Sequence, residues 1–155
     1  MKVIVKLNNN SKENLEKTVN HLFCCGYLDL IVFTSDSLLS SEIFEKSFGL
    51  GAKIVTLKSI EEGTFDILLN VKGSLTEGFL VVYSSEITKF NLKEVENSHR
   101  NSTLLSTLLV SQNKTVAAFF ETEIFDYMAN YRHFEREVIP RIFEDGEVQI
   151  YTCII

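Results

Sequence analysis

The chain carries little punctuation. It has one proline, Pro140, no tryptophan and seven glycines in 155 residues. No Gly/Ser-rich block reads as a linker and no segment repeats. A single domain over residues 1–155 is therefore expected, long enough for one core and too short for two. Three cysteines, an odd number, imply no disulfide framework. No apolar run approaches the roughly 20 residues of a membrane span, so no membrane partner is expected. The start, Met1-Lys2-Val3-Ile4-Val5-Lys6, is too short and too charged for a secretory leader and reads as a strand. The cytoplasm is the expected compartment, where Asn101-Ser102-Thr103 carries no glycosylation meaning. Basic residues are also scarce: 15 Lys and Arg stand against 21 Asp and Glu, for a net charge of -6. No basic stripe exists to follow a phosphate backbone, which excludes nucleic acid as a partner.

What is present is an alternation of two periods. Val3-Ile4-Val5, Leu30-Ile31-Val32-Phe33, Lys53-Ile54-Val55-Thr56-Leu57 and Phe79-Leu80-Val81-Val82 are short, continuous apolar runs. Helical spacing fills the gaps: Leu15, Val19, Leu22 and Phe23, then Leu39, Ile43, Phe44 and Phe48, then Ile67, Leu68 and Val71. Asn10 with Glu13 resembles a capping box, Ser37 suits a second helix start, and Gly63-Thr64 opens a third. Gly26 stands where a helix end wants positive φ, and Gly49 or Gly51 closes the second helix. Strands separated by 10- to 15-residue helical patterns give βαβ units around a parallel sheet. Unbroken apolar strands mean that helices cover both sheet faces. Further on, helices are expected at 92–99, 123–128 and 134–143, and strands at 104–110, 115–120 and 148–154.

The fourth strand ends abruptly in Tyr83-Ser84-Ser85-Glu86. In open α/β sheets this carboxyl end is where ligands bind. Other chemically rich groups have simpler readings. His21, Cys24 and Cys25 have the spacing of a helical metal pair, but a closed site wants four ligands and cysteine is a common core residue. His99 and His133 could be placed beside serines on paper, yet no G-x-S-x-G elbow exists. Arg132-His133-Phe134-Glu135-Arg136-Glu137 reads as a solvated helix face with Glu–Arg pairs. Asp126 and Tyr127 read as helix-end and packing residues.

Several segments together resemble the sugar-1-phosphate nucleotidyltransferases. Phe120 to Met128 and Phe134 to Val148 resemble a late Glu-Pro-Glu-Ile-Phe-Asp-Tyr segment and the Phe-Glu-Arg helix after it. Gly63-Thr64 falls at a Gly-Thr helix start of that family. Phe79-Leu80-Val81-Val82 and Ile87-Thr88 frame its Asn-Gly-Asp corner, and Asn91 to Arg100 resembles the helix that follows. The resemblance implies a three-layer α/β fold, a mostly parallel Rossmann-like sheet with helices on both faces, in shortened form. It implies transfer of a nucleotidyl group to a sugar-1-phosphate with release of pyrophosphate, chemistry that rests on positioning and charge neutralisation.

The chain departs from the family where that chemistry is done. No glycine-rich cradle follows the first strand; the chain reads Lys6-Leu7-Asn8-Asn9-Asn10-Ser11, too short to wrap a triphosphate. The metal-binding aspartate falls at Ser85, and strand alternation would turn the adjacent Glu86 to the opposite face. An Asn-Ala-Gly sugar contact falls on Lys114-Thr115-Val116, where a Val116 side chain would crowd the site. A stretch with a Glu-Lys-Pro motif is compressed to Ser111-Gln112-Asn113. Ile155 comes before the region of the family's second metal aspartate.

The resemblance then implies a degenerate domain with no catalytic and no metal residues and no cofactor, acting as a binding or partner subunit in sugar-nucleotide metabolism. Its ligand, a nucleotide or sugar phosphate, would meet Gly63, Thr64, Tyr83, Ser84, Ser85 and Glu86. The alternative is a minimal active transferase with Mg²⁺ on Glu86 and Glu62, the site shared across a dimer. A generous aromatic count, 12 Phe and 5 Tyr, makes a homodimer or a partner protein plausible.

Overall fold

Short runs of β-branched and aromatic residues form the sheet, as the sequence pattern requires. The computed structural model describes residues 1–7, 11–33, 53–54 and 63–153. The strands are β1 (Lys2–Val5), β2 (Asp29–Val32), β3 (Lys53–Ile54) and β4 (Phe79–Val82). They continue with β5 (Ser106–Ser111), β6 (Lys114–Phe120) and β7 (Val148–Thr152). These strands join in one sheet in the order β3–β2–β1–β4–β6–β5–β7. All neighbours pair in parallel except at β6, which runs antiparallel to both β4 and β5. The expected α/β fold is therefore present, with one reversed strand in its mostly parallel sheet. Its cause is the link between β5 and β6. Gln112 and Asn113 both have positive φ, 51° and 62°, the signature of a two-residue I′ hairpin turn. A tight hairpin forces antiparallel pairing.

The helices are α1 (Lys12–Cys24), α2 (Thr64–Val71), α3 (Leu92–Ser102), α4 (Ile124–Met128) and α5 (Ile139–Glu144). α1 and α3 cover one sheet face, where Leu15, Val19, Leu22, Leu92 and Val95 pack on Val3, Val5, Leu80, Val82 and Phe119. α2, α4 and α5 cover the other, packing Ile67, Leu68, Ile124, Met128 and Ile142 on Ile4, Val81, Ala118 and Phe120. Much of the phenylalanine content is here. Phe120 meets Phe134 edge to face at 5.4 Å and Phe79 at 5.8 Å between ring centroids.

Several expectations shift in detail. The cap of α1 is Ser11, whose Oγ accepts from the Asn14 N–H at 3.1 Å; Asn10 lies outside the described residues. Gly26 does take positive φ, 89°. The expected helix from Ser37 through Phe48, the Asn8-Asn9-Asn10 stretch, residues 55–57 of the third strand and Ile154 also lie outside the described residues.

Polar groups close the amino ends of the central strands. His99 on α3 is buried, with Nδ1 2.8 Å from Thr107 Oγ1 and Nε2 3.0 Å from Glu121 Oε1. Gln149 Nε2 donates to the same Thr107 oxygen at 2.8 Å, and the His99 ring stacks on Phe119. The Glu121 carboxylate lies over Gly78, where an added Cβ would come within 3.1 Å of it. A hydroxyl, an imidazole and a carboxylate in a row have the form of a hydrolytic triad. Thr107 is wholly buried, however, so no substrate carbonyl reaches it. Nearby, Tyr27 donates to Glu96 at 2.7 Å. Burial alone would push the Glu96 carboxyl up, but hydrogen bonds from Tyr27, Arg100 and Lys93 outweigh it and hold it below the ordinary range. Among the described residues, no helix is long and apolar enough to cross a membrane.

Candidate functional site

The opposite, carboxyl end of the sheet is open. It is built around the corner after β4. β6 carries an extra residue there, because its register with β5 shifts between Leu109 and Val110. The extra residue is Val116, and its carbonyl accepts from both Tyr83 N–H at 2.9 Å and Ser84 N–H at 3.2 Å. Bulges of this kind re-aim the strand beside them and are frequent next to sites. The Val116 side chain is only 1% exposed and packs into the core beneath α1. Val116 borders only the smaller of the two cavities beside Tyr83.

Ser84 follows the strand, two residues past its end at Val82. Its Oγ accepts from the Glu86 N–H at 3.2 Å and caps a 3₁₀ turn over Ser85–Lys89. Strand alternation thus stops at Val82 and does not decide where Glu86 points. Glu86 is instead engaged by Lys89, at 2.7 Å, and that hydrogen bond holds its carboxyl below the ordinary range.

Two cavities flank Tyr83. The larger, about 490 Å³, has an apolar floor of Leu108, Ala118, Phe120, Phe134 and Ile139. Lys6, Gly63, Thr64, Tyr83, Thr115 and Glu135 supply its polar wall. The smaller, about 230 Å³, is bordered by Leu7, Asn14, Tyr83, Ser84, Ser85, Glu86 and Lys114–Val116. The six residues singled out from the sequence are thus divided. Gly63 and Thr64 face the larger space, Ser84 to Glu86 the smaller, and Tyr83 borders both.

Gly63 precedes α2 with φ at -72°, and a Cβ built there would meet nothing within 4 Å. Neither backbone conformation nor packing within the described residues demands glycine. Thr64 is buried and donates to Glu135 Oε1 at 2.5 Å. Burial pushes the Tyr83 phenol well above its ordinary range, the Glu135 carboxylate adds to the shift, and the Thr64 hydroxyl opposes it. Tyr83 therefore acts as a hydroxyl donor or acceptor at neutral pH and not as a base.

Arg132, His133, Glu135 and Arg136 are exposed, in keeping with a solvated face, but Glu135 also borders the larger cavity. Residues Phe134–Val138 form a π turn, with both Glu137 N–H and Val138 N–H reaching the His133 carbonyl. Pro140, two residues past it, has no N–H to give a regular α turn. The wide turn lets neighbouring Phe134 and Glu135 both line the larger cavity, and π turns recur at functional sites. The expected Glu–Arg pairs are absent among the described residues. Glu137 accepts from the backbone N–H groups of Arg132 and His133, while Arg141 pairs with Glu144 and Asp145. Tyr127 donates to Asp145 at 2.7 Å, and Asp126 is exposed, in keeping with packing and helix-end roles.

The donors at the corner do not suit Mg²⁺, which wants several hard anionic or water oxygens. Ser85 offers a neutral hydroxyl, Glu86 is paired with Lys89, and Lys114 adds a further positive charge nearby. Glu62, the other candidate ligand, lies outside the described residues. Among the described residues, no three His, Cys, Asp or Glu side chains gather as a metal set. Cys25 Sγ lies 3.7 Å from His21 Nε2, Cys24 is exposed, and burial pushes the Cys25 thiol up, away from a ligating thiolate.

No family model and no curated protein matches the chain. Solved structures match closely in shape. A 4-diphosphocytidyl-2C-methyl-D-erythritol synthase from Anaerococcus prevotii superposes with a TM-score of 0.70 at 12% identity, over 99% of this chain and 88% of that one. A protein assigned as a glucose-1-phosphate thymidylyltransferase from Bacillus anthracis, in complex with sucrose, gives 0.66 at 10% identity, over 97% and 85%. HddC from Yersinia pseudotuberculosis, complexed with GMP-PN, gives 0.65 at 12% identity, over 97% and 89%. The chain therefore has the fold of these nucleotidyltransferases.

Proposed function

We propose that this domain binds a nucleotide or sugar phosphate at the carboxyl end of its sheet and does not catalyse nucleotidyl transfer. One observation carries the reading. A roomy cavity with hydroxyls and a carboxylate remains beside β4, while the corner that would hold a metal offers a serine and a lysine-paired glutamate. The larger cavity suits a ring with hydroxyl groups. Its floor is apolar, and Thr64, Tyr83 and Glu135 sit at its wall to fix orientation. The bound sucrose and nucleotide analogue of the structural neighbours agree with that chemistry. A binding or partner subunit in sugar-nucleotide metabolism is the role that follows.

A thermal-shift screen against nucleotides, nucleotide-sugars and sugar phosphates tests the binding half. A specific ligand raises Tm by mass action. A pyrophosphate-release assay with a nucleoside triphosphate, a sugar-1-phosphate and Mg²⁺ tests the other half. Steady turnover would overturn the non-catalytic reading, and a flat screen would overturn the binding reading.

A further inference from the structure

The corner that does not fit a metal has its own cation. We propose that the smaller cavity is a metal-independent site for the phosphoryl end of a small hydroxylated phosphate monoester, with the Lys114 ammonium supplying the positive charge. This rests on the reading of the carboxyl end as a ligand site and names how charge is handled there.

The charge balance differs on the two sides of Tyr83. In the smaller cavity Glu86 is neutralised by Lys89 at 2.7 Å. Lys114 opens β6 and is exposed; it has no ion-pair partner among the described residues and acts on Glu86 only through space. Lys114 is thus the surplus positive charge of that cavity. The same walls present the Ser85 and Thr115 hydroxyls and the Asn14 side chain, none of which has a side-chain hydrogen-bond partner among the described residues. These are donors suited to phosphoryl oxygens. The larger cavity carries the Glu135 carboxylate beside Thr64 with Lys6 on the same wall, one charge of each sign and no surplus cation. A carboxylate repels a phosphate and accepts from hydroxyls. A ligand lying across Tyr83 is therefore oriented, its anionic end toward Lys114 and its hydroxyls toward Glu135. Where Mg²⁺ bridges ligand and protein carboxylates, a carboxylate is needed on the protein; a lysine reaches the anion directly and makes that carboxylate unnecessary.

The test is calorimetric titration in EDTA with three probes: inorganic phosphate, glucose and glucose 1-phosphate. Glucose 1-phosphate should bind more tightly than either of the others, and saturating Mg²⁺ should leave its affinity unchanged. Lys114→Met should weaken it by about ten-fold or more, the scale of one charge-assisted contact, with Lys114→Arg retaining most of the affinity. Glucose affinity should be the same in all three proteins. Binding that requires Mg²⁺, no binding of glucose 1-phosphate, or equal affinity in Lys114→Met would each overturn the assignment. If Thr64→Val weakens glucose 1-phosphate while Lys114→Met does not, the ligand site stands and the role of Lys114 falls. If no probe of the thermal-shift screen binds either, the wider reading falls with it.

Discussion

The two ends of the sheet carry polar clusters of similar composition and opposite finish. At the amino end, His99, Thr107, Glu121 and Gln149 bond to one another. Two of them, His99 and Thr107, are buried, and Glu121 lies close over the Gly78 backbone. At the carboxyl end, Thr64, Tyr83, Ser85, Lys114 and Glu135 line open space. A buried polar group without a partner destabilises a fold, so a closed network is sufficiently explained by the fold itself. Hydroxyls and charges that border a cavity have capacity left for something else. The difference shows that a triad-like string of residues says less about function than whether its atoms are already satisfied.

Substitutions should separate the two ends. The largest stability loss is expected at the closed end: His99→Ala removes two hydrogen bonds and a ring stacked on Phe119, and should cost about 1–3 kcal/mol by urea unfolding with ligand affinity unchanged. Gly78→Ala should cost less, because its Cβ meets the movable end of Glu121, 3.1 Å away.

The pH dependence sharpens the same contrast. Burial holds the His99 imidazole below its ordinary 6.5, with Arg100 acting in the same direction and the Glu121 and Glu96 carboxylates opposing. Below pH 6.5 the unfolded chain therefore takes up this proton more readily than the folded one. Stability should be full above that pH and fall as the solution is acidified through it, and His99→Gln should flatten the slope in a series of chemical melts.

At the open end the pattern reverses. Tyr83→Phe and Gly63→Ala should shift stability by less than about 0.5 kcal/mol, yet weaken ligand binding in titration. The smallest effect concerns association. Ile150, 51% exposed on the edge strand β7, is where a second copy would extend the sheet. Ile150→Lys should lower the light-scattering mass if that edge pairs, and a monomer mass for the parent protein would remove the dimer altogether.

Much of the layered fold was legible because its strands are unbroken apolar runs: Phe79–Val82 was bounded from the sequence to the residue. The reversal of β6 was legible only indirectly, from the four residues between the expected strands at 104–110 and 115–120, too few for a crossover; Gln112-Asn113 contains no glycine to mark its positive φ. At the site, Tyr83 to Glu86 stood out as an abrupt change from apolar to polar. Glu135 was hidden in a charge run, since only the π turn ahead of Pro140 brings it beside Thr64. The resemblance of Phe134 to Val148 to the Phe-Glu-Arg helix of the sugar-1-phosphate nucleotidyltransferases is the available signal for it. Lys114 is hidden for another reason: it stands at a lost sugar contact, and a single lysine in an acidic chain carries no mark of a site.

The account turns on which end of the sheet meets a ligand. Amide chemical shifts recorded while glucose 1-phosphate is added in EDTA decide it. The account predicts movement at Gly63, Thr64, Tyr83 and Thr115 while His99, Thr107 and Gln149 stay still. Shifts centred on His99 and Thr107, or none anywhere at millimolar ligand, would contradict it.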